Sequence, residues 1–400
     1  LSEKLNIVGR RSGKGFVAHR HHLVEAFSRV QSPRVELLGF TLGTKGLVNF
    51  LRLSNRSNIV RMIPTNGKNN NEAKRLRIEI GNYQTSLSNY DWTDEKTSLT
   101  IPCDVKVVST NGSVQPNVSV VELASALARV IPFASRDKAR PPLNTVYITV
   151  DKGKLSMVCT DGYVLAMASL GFAYDTKKPI MALIDATELR GIMPRLKKAR
   201  RVRVGFEAST VESDVHTLLI DTESNHYRIH SAPGEYPDYQ KVVPSDGIAV
   251  DVDCRELLQA VASIGCLTVD KDDFIILSLD GNVLKVSAKD DKGNASVPVL
   301  GNGNAMIALN NRYLSLACKR VNDMATLHFP DANNIGRPIK ITTTDDSYMI
   351  VIMPMVSPEV KAKAKANAAD TTAKANADAT ADTTAKANAD ADVPEVAKAA

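Results

Sequence analysis

At 400 residues the chain is too long for one ordinary core, so two or three domains are expected. Hydrophobic content of 44% and charged content of 24% are those of a soluble globular protein, and no apolar run approaches the ~20 residues that span a bilayer. The net charge of +6 is mild but uneven: residues 1–100 hold 16 Lys and Arg against 8 Asp and Glu, which hints at a polyanion partner.

The N-terminus, LSEKLNIVGRR, has no apolar core segment and so no secretory signal. It also lacks an initiating Met, which suggests a fragment or a processed product. The five cysteines, Cys103, Cys159, Cys254, Cys266 and Cys318, are odd in number and scattered, with no CxxC. That pattern fits reduced thiols in a cytosol rather than a disulfide frame, and the expected location is cytoplasmic.

In chain order, the first predicted helix is His21–Val30, HHLVEAFSRV. Strand-like pieces follow at Gly46–Leu53, Ser57–Met62, Arg75–Ile80 and Ser98–Val107, interrupted by a polar loop at Thr65–Asn71. This part fits as one unit plus a degenerate remainder; either half a domain is missing before residue 1 or the domain has diverged. Four further helices are predicted at Ser119–Ile131, Ala186–Leu196, Asp253–Ile264 and Asn311–Val321, each with apolar residues at i, i+3/i+4. Leu257, Leu258, Val261 and Ile264 are one such face. The helix starts recur about every 60 to 70 residues, the signature of a repeated supersecondary unit.

Strand-like runs follow each helix: Val202–Phe206, Thr217–Asp221, Phe274–Asp280, Val283–Ala288, Ala325–Phe329 and Ile339–Thr342. Asp280-Gly281-Asn282 reads as a hairpin turn, and Gly301-Asn-Gly-Asn304 as another turn. Leu155–Leu170 reads as strand, turn, strand, with Thr160-Asp161-Gly162 supplying the turn. The expected fold class is α+β, built from repeated βαβββ-type units of helices packed on antiparallel sheets. The expected domains are 1–116, divergent or incomplete; 117–245; and 246–356, with a joint near Pro244-Ser-Asp-Gly247. Residues 357–400 differ in kind. DTTAKANADA at Asp370–Ala379 recurs at Asp382–Ala391, and without an apolar stripe this Ala/Lys/Asp-rich tail reads as solvated, disordered or transiently helical.

Candidate chemistry is sparse. Gly9-Arg-Arg-Ser-Gly13-Lys14-Gly15 is one residue short of a phosphate loop and has no Ser or Thr after its Lys, so it reads as a basic N-terminus. His19, His21 and His22 lack supporting Cys or carboxylate ligands. No Ser, Cys or paired-carboxylate constellation links the other histidines, so no cofactor, no metal and no catalytic residue is expected, and a binding role is favoured over an enzyme. Two basic clusters remain. Arg136, Lys138 and Arg140 lie in a loop ahead of a strand. Lys197, Lys198, Arg200 and Arg201, with Arg203, run from a helix end into a strand. Phosphate contact explains both, and helix-dipole compensation explains part of the second equally well.

The segments TDGYVLAM (Thr160–Met167), GEYPDYQKVVP (Gly234–Pro244), ALNNRYL (Ala308–Leu314) and IVIMPM (Ile350–Met355) resemble the bacterial DNA polymerase III β subunit, the sliding clamp, in content, order and spacing. The resemblance covers about residues 117–356. It implies DNA-clamp domains with helices lining an inner face and antiparallel sheets outside. It implies a ring-shaped homodimer that encircles double-stranded DNA without reading sequence and has no chemical activity of its own. Such a ring tethers the replicative polymerase and gives processivity. The partners it implies are the DNA polymerase III α subunit and the clamp loader, through short clamp-binding peptides. The runner-up is a clamp-like regulator of a phage or mobile element that binds such peptides without closing a ring.

Carried over motif by motif, the resemblance implies a partner-peptide pocket between the second and third domains. It comprises Leu143, Thr160, Gly162, Tyr163, Val164, Leu165, Pro237, Lys241, Val242, Asn310, Tyr313, Val351, Ile352, Met353, Pro354 and Met355. Apolar and Met side chains suit the Leu and Phe anchors of short peptides, and Asn310 and Tyr313 can fix a peptide backbone. The bland alternative for Ile350–Met355 is a buried edge strand, in which two Met and a Pro are unusual. Tyr163-Val164 stands where the family usually has His-Arg, so the pocket is less polar here. Pro141-Pro142 replaces the aromatic residues common in the DNA-facing loop. The DNA-facing set is Arg136, Lys138, Arg140, Lys197, Lys198, Arg200 and Arg201.

Overall fold

The computed structural model describes residues 4–9, 14–21, 24–31, 39–52, 60–65, 75–88, 115–137, 139–173, 179–208, 216–245, 247–267, 274–289, 292–321, 323–330 and 336–355. They fall into two compact units. Unit 1 comprises Leu1–Asp161 with Met167–Pro237, and unit 2 comprises Gly162–Ala166 with Asp238–Ala400.

Unit 1 opens with β1 (Lys4–Gly9), β2 (Lys14–His21), β3 (Val24–Gln31), β4 (Gly39–Gly43), α1 (Thr44–Leu51), β5 (Val60–Thr65), β6 (Arg75–Ile80) and β7 (Tyr83–Ser88). It continues with α2 (Val120–Val130), β8 (Thr145–Asp151), β9 (Lys154–Thr160), β10 (Val164–Gly171), β11 (Ile180–Asp185), α3 (Ala186–Leu196), β12 (Val202–Ala208), β13 (His216–Thr222) and β14 (Asn225–Ile229). Unit 2 holds the first residues of β10, then β15 (Ile248–Asp253), α4 (Cys254–Gly265), β16 (Phe274–Ala288), β17 (Asn294–Asn310), α5 (Asn311–Val321), β18 (Met324–Phe329), β19 (Ile339–Thr343) and β20 (Tyr348–Ile352). The class is α+β, with antiparallel pairing between the described strands.

The helices start where the sequence supplies a cap before an apolar stripe. Asp185 accepts the Thr187 amide at 2.7 Å ahead of α3, and Asp253 accepts that of Arg255 at 2.7 Å ahead of α4. The stripes then bury: Leu123, Leu127 and Val130 on α2, Leu189, Ile192 and Leu196 on α3, Leu257, Val261 and Ile264 on α4, and Leu314, Cys318 and Val321 on α5. Each fully buried Leu or Ile contributes about 1.5–3 kcal/mol, which outweighs any single propensity along these short helices.

In unit 1 a seven-stranded sheet runs β12-β13-β14-β3-β2-β1-β4, and β11, β8, β9 and β10 are successive neighbours. In unit 2 the order from β10 is β20-β19-β18-β15-β17-β16. A small meander, β5-β6-β7, stands by itself in unit 1.

Several expectations are corrected. His21–Val30 is not a helix. It is the β2–β3 hairpin, with His21 paired to Val24, and β3 is held by β14 from Asn225↔Ser28 to Ile229↔Val24. Pairing to a strand about 200 residues away overrides a local helical spacing. Conversely, Gly46–Leu53 is not a strand: Leu47, Phe50 and Leu51 fall on one side of α1 and pack on the meander. The strand expected at Ser57–Met62 lies at Val60–Thr65.

Asp280-Gly281-Asn282 is no hairpin turn either. It lies within the continuous strand β16, where the pairing with β17 shifts register between Gly281 and Val283 and Gly281 has φ of 60°. Gly301–Asn304 belongs to β17 opposite that shift. Residues that favour turns also favour bulges. The strand at Ser98–Val107, most of the loop at Thr65–Asn71 and the 357–400 tail lie outside the described residues.

One polar contact replaces a missing strand neighbour in unit 1. Buried Asn117 donates from Nδ2 to the Val204 carbonyl at 2.7 Å and accepts the Val204 amide on Oδ1 at 2.9 Å. The side-chain amide satisfies both backbone groups of one β12 residue. Asn117→Leu is therefore expected to destabilise unit 1 by about 2–4 kcal/mol, because both groups stay buried and lose their partner. Urea unfolding followed by circular dichroism measures this, and a loss under about 1 kcal/mol would contradict the account.

Candidate partner-binding site

The residues singled out from the sequence distribute unevenly. Leu143, Thr160 and Pro237 fall in unit 1; the remainder of the pocket set falls in unit 2. The unit 2 group is organised by backbone hydrogen bonds. Gly162, with φ of 97°, turns the chain out of β9. A residue with a Cβ is strained there, so the glycine is required by the turn. Tyr163 follows, and its carbonyl accepts the Met353 amide at 2.9 Å. Two residues on, the Met355 amide donates to the Ala308 carbonyl at 2.8 Å.

Met353–Met355 therefore continues past the end of β20 as a strap pinned at alternate residues. Pro354 sits between the two anchored amides, at the one position of the three where a missing N–H removes no bond. The Met355 side chain packs against the buried pair Phe274 and Ala308, which seats the strap on β16 and β17.

Burial divides the set into support and surface. Val164, Leu165, Val351 and Ile352 are at most 3% exposed and belong to the core. Tyr163, Val242 and Met353 are 64%, 41% and 37% exposed, large apolar side chains at the surface of unit 2, as are Leu267, Val283 and Leu300. Lys241 and Val242 lie on a short 3-10 turn, Tyr239–Val242, where exposed Lys241 pairs with Asp238 at 3.1 Å. Asn310 ends β17 and its Oδ1 accepts the Arg312 amide at 2.9 Å, so this side chain already caps α5. Tyr313 is half-buried on the first turn of that helix.

In unit 1, Leu143 is buried in the 3-10 turn Pro141–Asn144, and its carbonyl accepts the Ser135 amide at 2.9 Å. Thr160 closes β9 and is buried. Pro237 is exposed just after Tyr236, whose ring stacks on Tyr147 at 4.8 Å between centroids.

Of the basic residues, Lys138 lies outside the described set. Arg136 and Arg140 are exposed around the turn before β8. Lys197, Lys198, Arg200 and Arg201 are exposed and follow directly on the C-terminus of α3, where cations are favoured by the helix dipole. Glu223 accepts the backbone amides of Arg200 and Arg201 at 2.9 and 3.4 Å, which fixes the path of this segment through the backbone. Arg203 instead donates to the Gln115 carbonyl at 3.0 Å.

The thiols in these units are not set up as nucleophiles. Burial pushes the Cys159 thiol far up, with a smaller opposing pull from Arg190. The hydrogen bond with Cys254, reinforced by burial, raises that of Cys318. Among the described residues, no three His, Cys, Asp or Glu side chains are grouped to hold a metal ion. No helix among them is long and apolar enough to cross a membrane.

Sequence reasoning missed the parts of the site made by backbone and packing. The roles of the Tyr163 and Ala308 carbonyls and of Asp238 as partner of Lys241 are not visible in the motifs that contain them, and Phe274 under Met355 lies in no motif. The alternation of Met, Pro and Met was the available signal for the pinned strap.

The strap's geometry makes a contrast. Met355→Ala is expected to cost about 1–3 kcal/mol by emptying its seat, whereas Pro354→Ala stays within about 0.5 kcal/mol. Chemical unfolding of both variants checks this; equal losses would mean that the alternate pinning is not what holds the strap.

No model of a known protein family matches the chain. The β sliding clamp of Rickettsia bellii is 24% identical over 262 residues, an alignment that spans 60% of this chain and 65% of that protein. The β sliding clamp of Pseudomonas aeruginosa is 25% identical over 296 residues, spanning 71% of this chain and 74% of that one. Among solved structures, the Pseudomonas aeruginosa sliding clamp bound to griselimycin, the DNA polymerase III subunit beta, superposes with a TM-score of 0.72 at 20% identity. It covers 89% of this chain and 92% of its own.

Proposed function

We propose that this chain, a sequence relative of the bacterial β sliding clamps that shares their fold, works as a DNA sliding clamp. Two copies close around duplex DNA and tether the replicative polymerase to it. The chain makes or breaks no bonds itself. Processivity follows from tethering, since a polymerase held near the primer end rebinds at high effective concentration.

One observation carries this reading: the pinned strap Met353–Met355 beside Tyr163, with Tyr163 and Met353 exposed next to buried Val164, Leu165, Val351 and Ile352. Exposed Met and aromatic side chains on rigid strands suit apolar anchors of short partner peptides, because the surface adapts while its backbone does not. The partners are peptides of the DNA polymerase III α subunit and of the clamp loader. Lys241 lies at the rim as a cation for an acidic flank.

DNA is held through phosphates by Arg136, Lys138, Arg140, Lys197, Lys198, Arg200 and Arg201. The exposure of Arg136, Arg140, Lys197, Lys198, Arg200 and Arg201 suits sequence-independent contact that permits sliding.

Loading on nicked circular DNA tests enclosure. The chain is expected to stay on circles through a high-salt wash and to leave once the circle is linearised. Equal retention on both forms would defeat enclosure, and a monomer that binds partner peptide yet never resists salt on circles would mark a regulator without a closed ring. Met353→Asp tests the peptide site, since it places a charge where an apolar anchor must desolvate it. Affinity for a peptide of the polymerase α subunit should fall at least about tenfold with the unfolding midpoint unchanged. An unchanged affinity would remove the strap from the binding site.

A further inference from the structure

The β5-β6-β7 meander has a face that neither DNA enclosure nor peptide docking uses. One side packs on α1, where Leu47, Leu76, Ile78 and Ile80 form a buried cluster with Phe50, Leu51, Val60, Met62 and Leu87 against it. Strand alternation sends the intervening residues to the opposite side. The register puts Arg61 opposite Glu79, Ile63 opposite Arg77 and Thr65 opposite Arg75. On the other flank Arg77 lies opposite Ser86 and Glu79 opposite Gln84.

Arg61, Arg75 and Arg77 are all exposed. Glu79 is the carboxylate described on this face, and it pairs with Arg77 at 2.5 Å. The face is thus a flat polar surface with three guanidinium groups, hydroxyl and amide groups beside them, and a net positive balance.

We propose that this outward face binds the phosphate backbone of a single-stranded nucleic acid. Arg75 and Arg77 are two residues apart on one strand, so they repeat at about 6.7 Å. Arg61 is the diagonal neighbour of Arg77 across the β5–β6 pair, at about 7–8 Å. An extended phosphodiester strand presents anions at comparable, regular intervals. Guanidinium forks engage phosphate oxygens bidentately, and Ser86, Thr65 and Gln84 add neutral donors of the kind that position a backbone.

Ile63 is the exposed large apolar residue on this face, so the surface offers no apolar wedge of the kind a membrane-bound face buries among acyl chains. The basic excess of the first hundred residues, 16 cations against 8 anions, points the same way. This surface would give the chain a grip on a strand that is not enclosed.

The test uses the full chain and a labelled linear oligodeoxythymidine of about 12 nucleotides, in the range one small binding surface covers and with free ends that no ring can retain. Weak binding at low salt is expected. With three phosphate contacts, the slope of log K against log salt should be about −2. Arg75→Gln with Arg77→Gln should weaken binding about tenfold and bring the slope to about −0.7, the value for one remaining contact.

Lys154→Gln with Lys285→Gln, two exposed cations outside both assigned sets, should leave both quantities unchanged, which separates this face from general positive charge. Unchanged affinity and slope in the Arg75/Arg77 variant would overturn the proposal. So would preferential capture of phosphatidylserine vesicles over the oligonucleotide. A variant that changes only the oligomeric state on gel filtration would assign the face to contact between copies, and would overturn it too.

Discussion

The interaction on which the proposed site depends is a single backbone hydrogen bond, from the Met353 amide to the Tyr163 carbonyl. Gly162 turns the chain, Tyr163 presents its carbonyl immediately after, and β20 delivers Met353 to it. With the Met355 amide held by Ala308, the strap has two fixed points and one free residue between them, and that residue is proline. Removing the alternation would leave either a buried amide without a partner or a proline where a donor is needed. Both cost more than a typical surface change.

From that constraint follows the division between floor and surface. Val164 and Leu165 point the site into the core immediately after Tyr163, and Val351 and Ile352 do the same immediately before Met353. Large buried side chains on both approaches hold the exposed ones in place. A surface fixed in this way has little ordering left to undergo when a peptide arrives, so more of the apolar contact area appears as affinity. Met353 supplies what rigidity removes, because its thioether side chain can still adapt to the anchor it meets.

Much of the fold was legible because local and long-range demands agreed. The four helices that begin near residues 119, 186, 253 and 311 each had a cap residue, a stripe and a following strand, and the structure places helices there within a residue or two. Where the demands conflicted, the long-range one prevailed. HHLVEAFSRV carries helical spacing at Leu23, Phe27 and Val30, yet β2 and β14 claim both edges of β3. In TKGLVNFL the glycine and the β-branched valine hid a helix that only its packing on Leu76, Ile78 and Ile80 reveals.

The proposed site was legible in its residues and not in its phase. The sequence names Tyr163 to Leu165 and Val351 to Met355 as one group, but composition cannot say which of them face outward. That depends on which backbone atoms pair and on what covers each strand face, since Val164 and Leu165, like Val351 and Ile352, are neighbours and all buried. Here the phase is set from outside the motif, by the positive φ at Gly162 and by the Ala308 carbonyl at the far end of a hairpin whose own register shifts at Gly281. A bulge in β16–β17 therefore has a consequence about five residues further along β17, from Gly303 opposite Gly281 to Ala308: it helps decide which residue of that strand comes to receive Met355. The same reasoning explains why Asp280-Gly281-Asn282 misleads as a turn. Its glycine is used to change the pairing while the strand continues, and that continuation carries Ala308 to the strap.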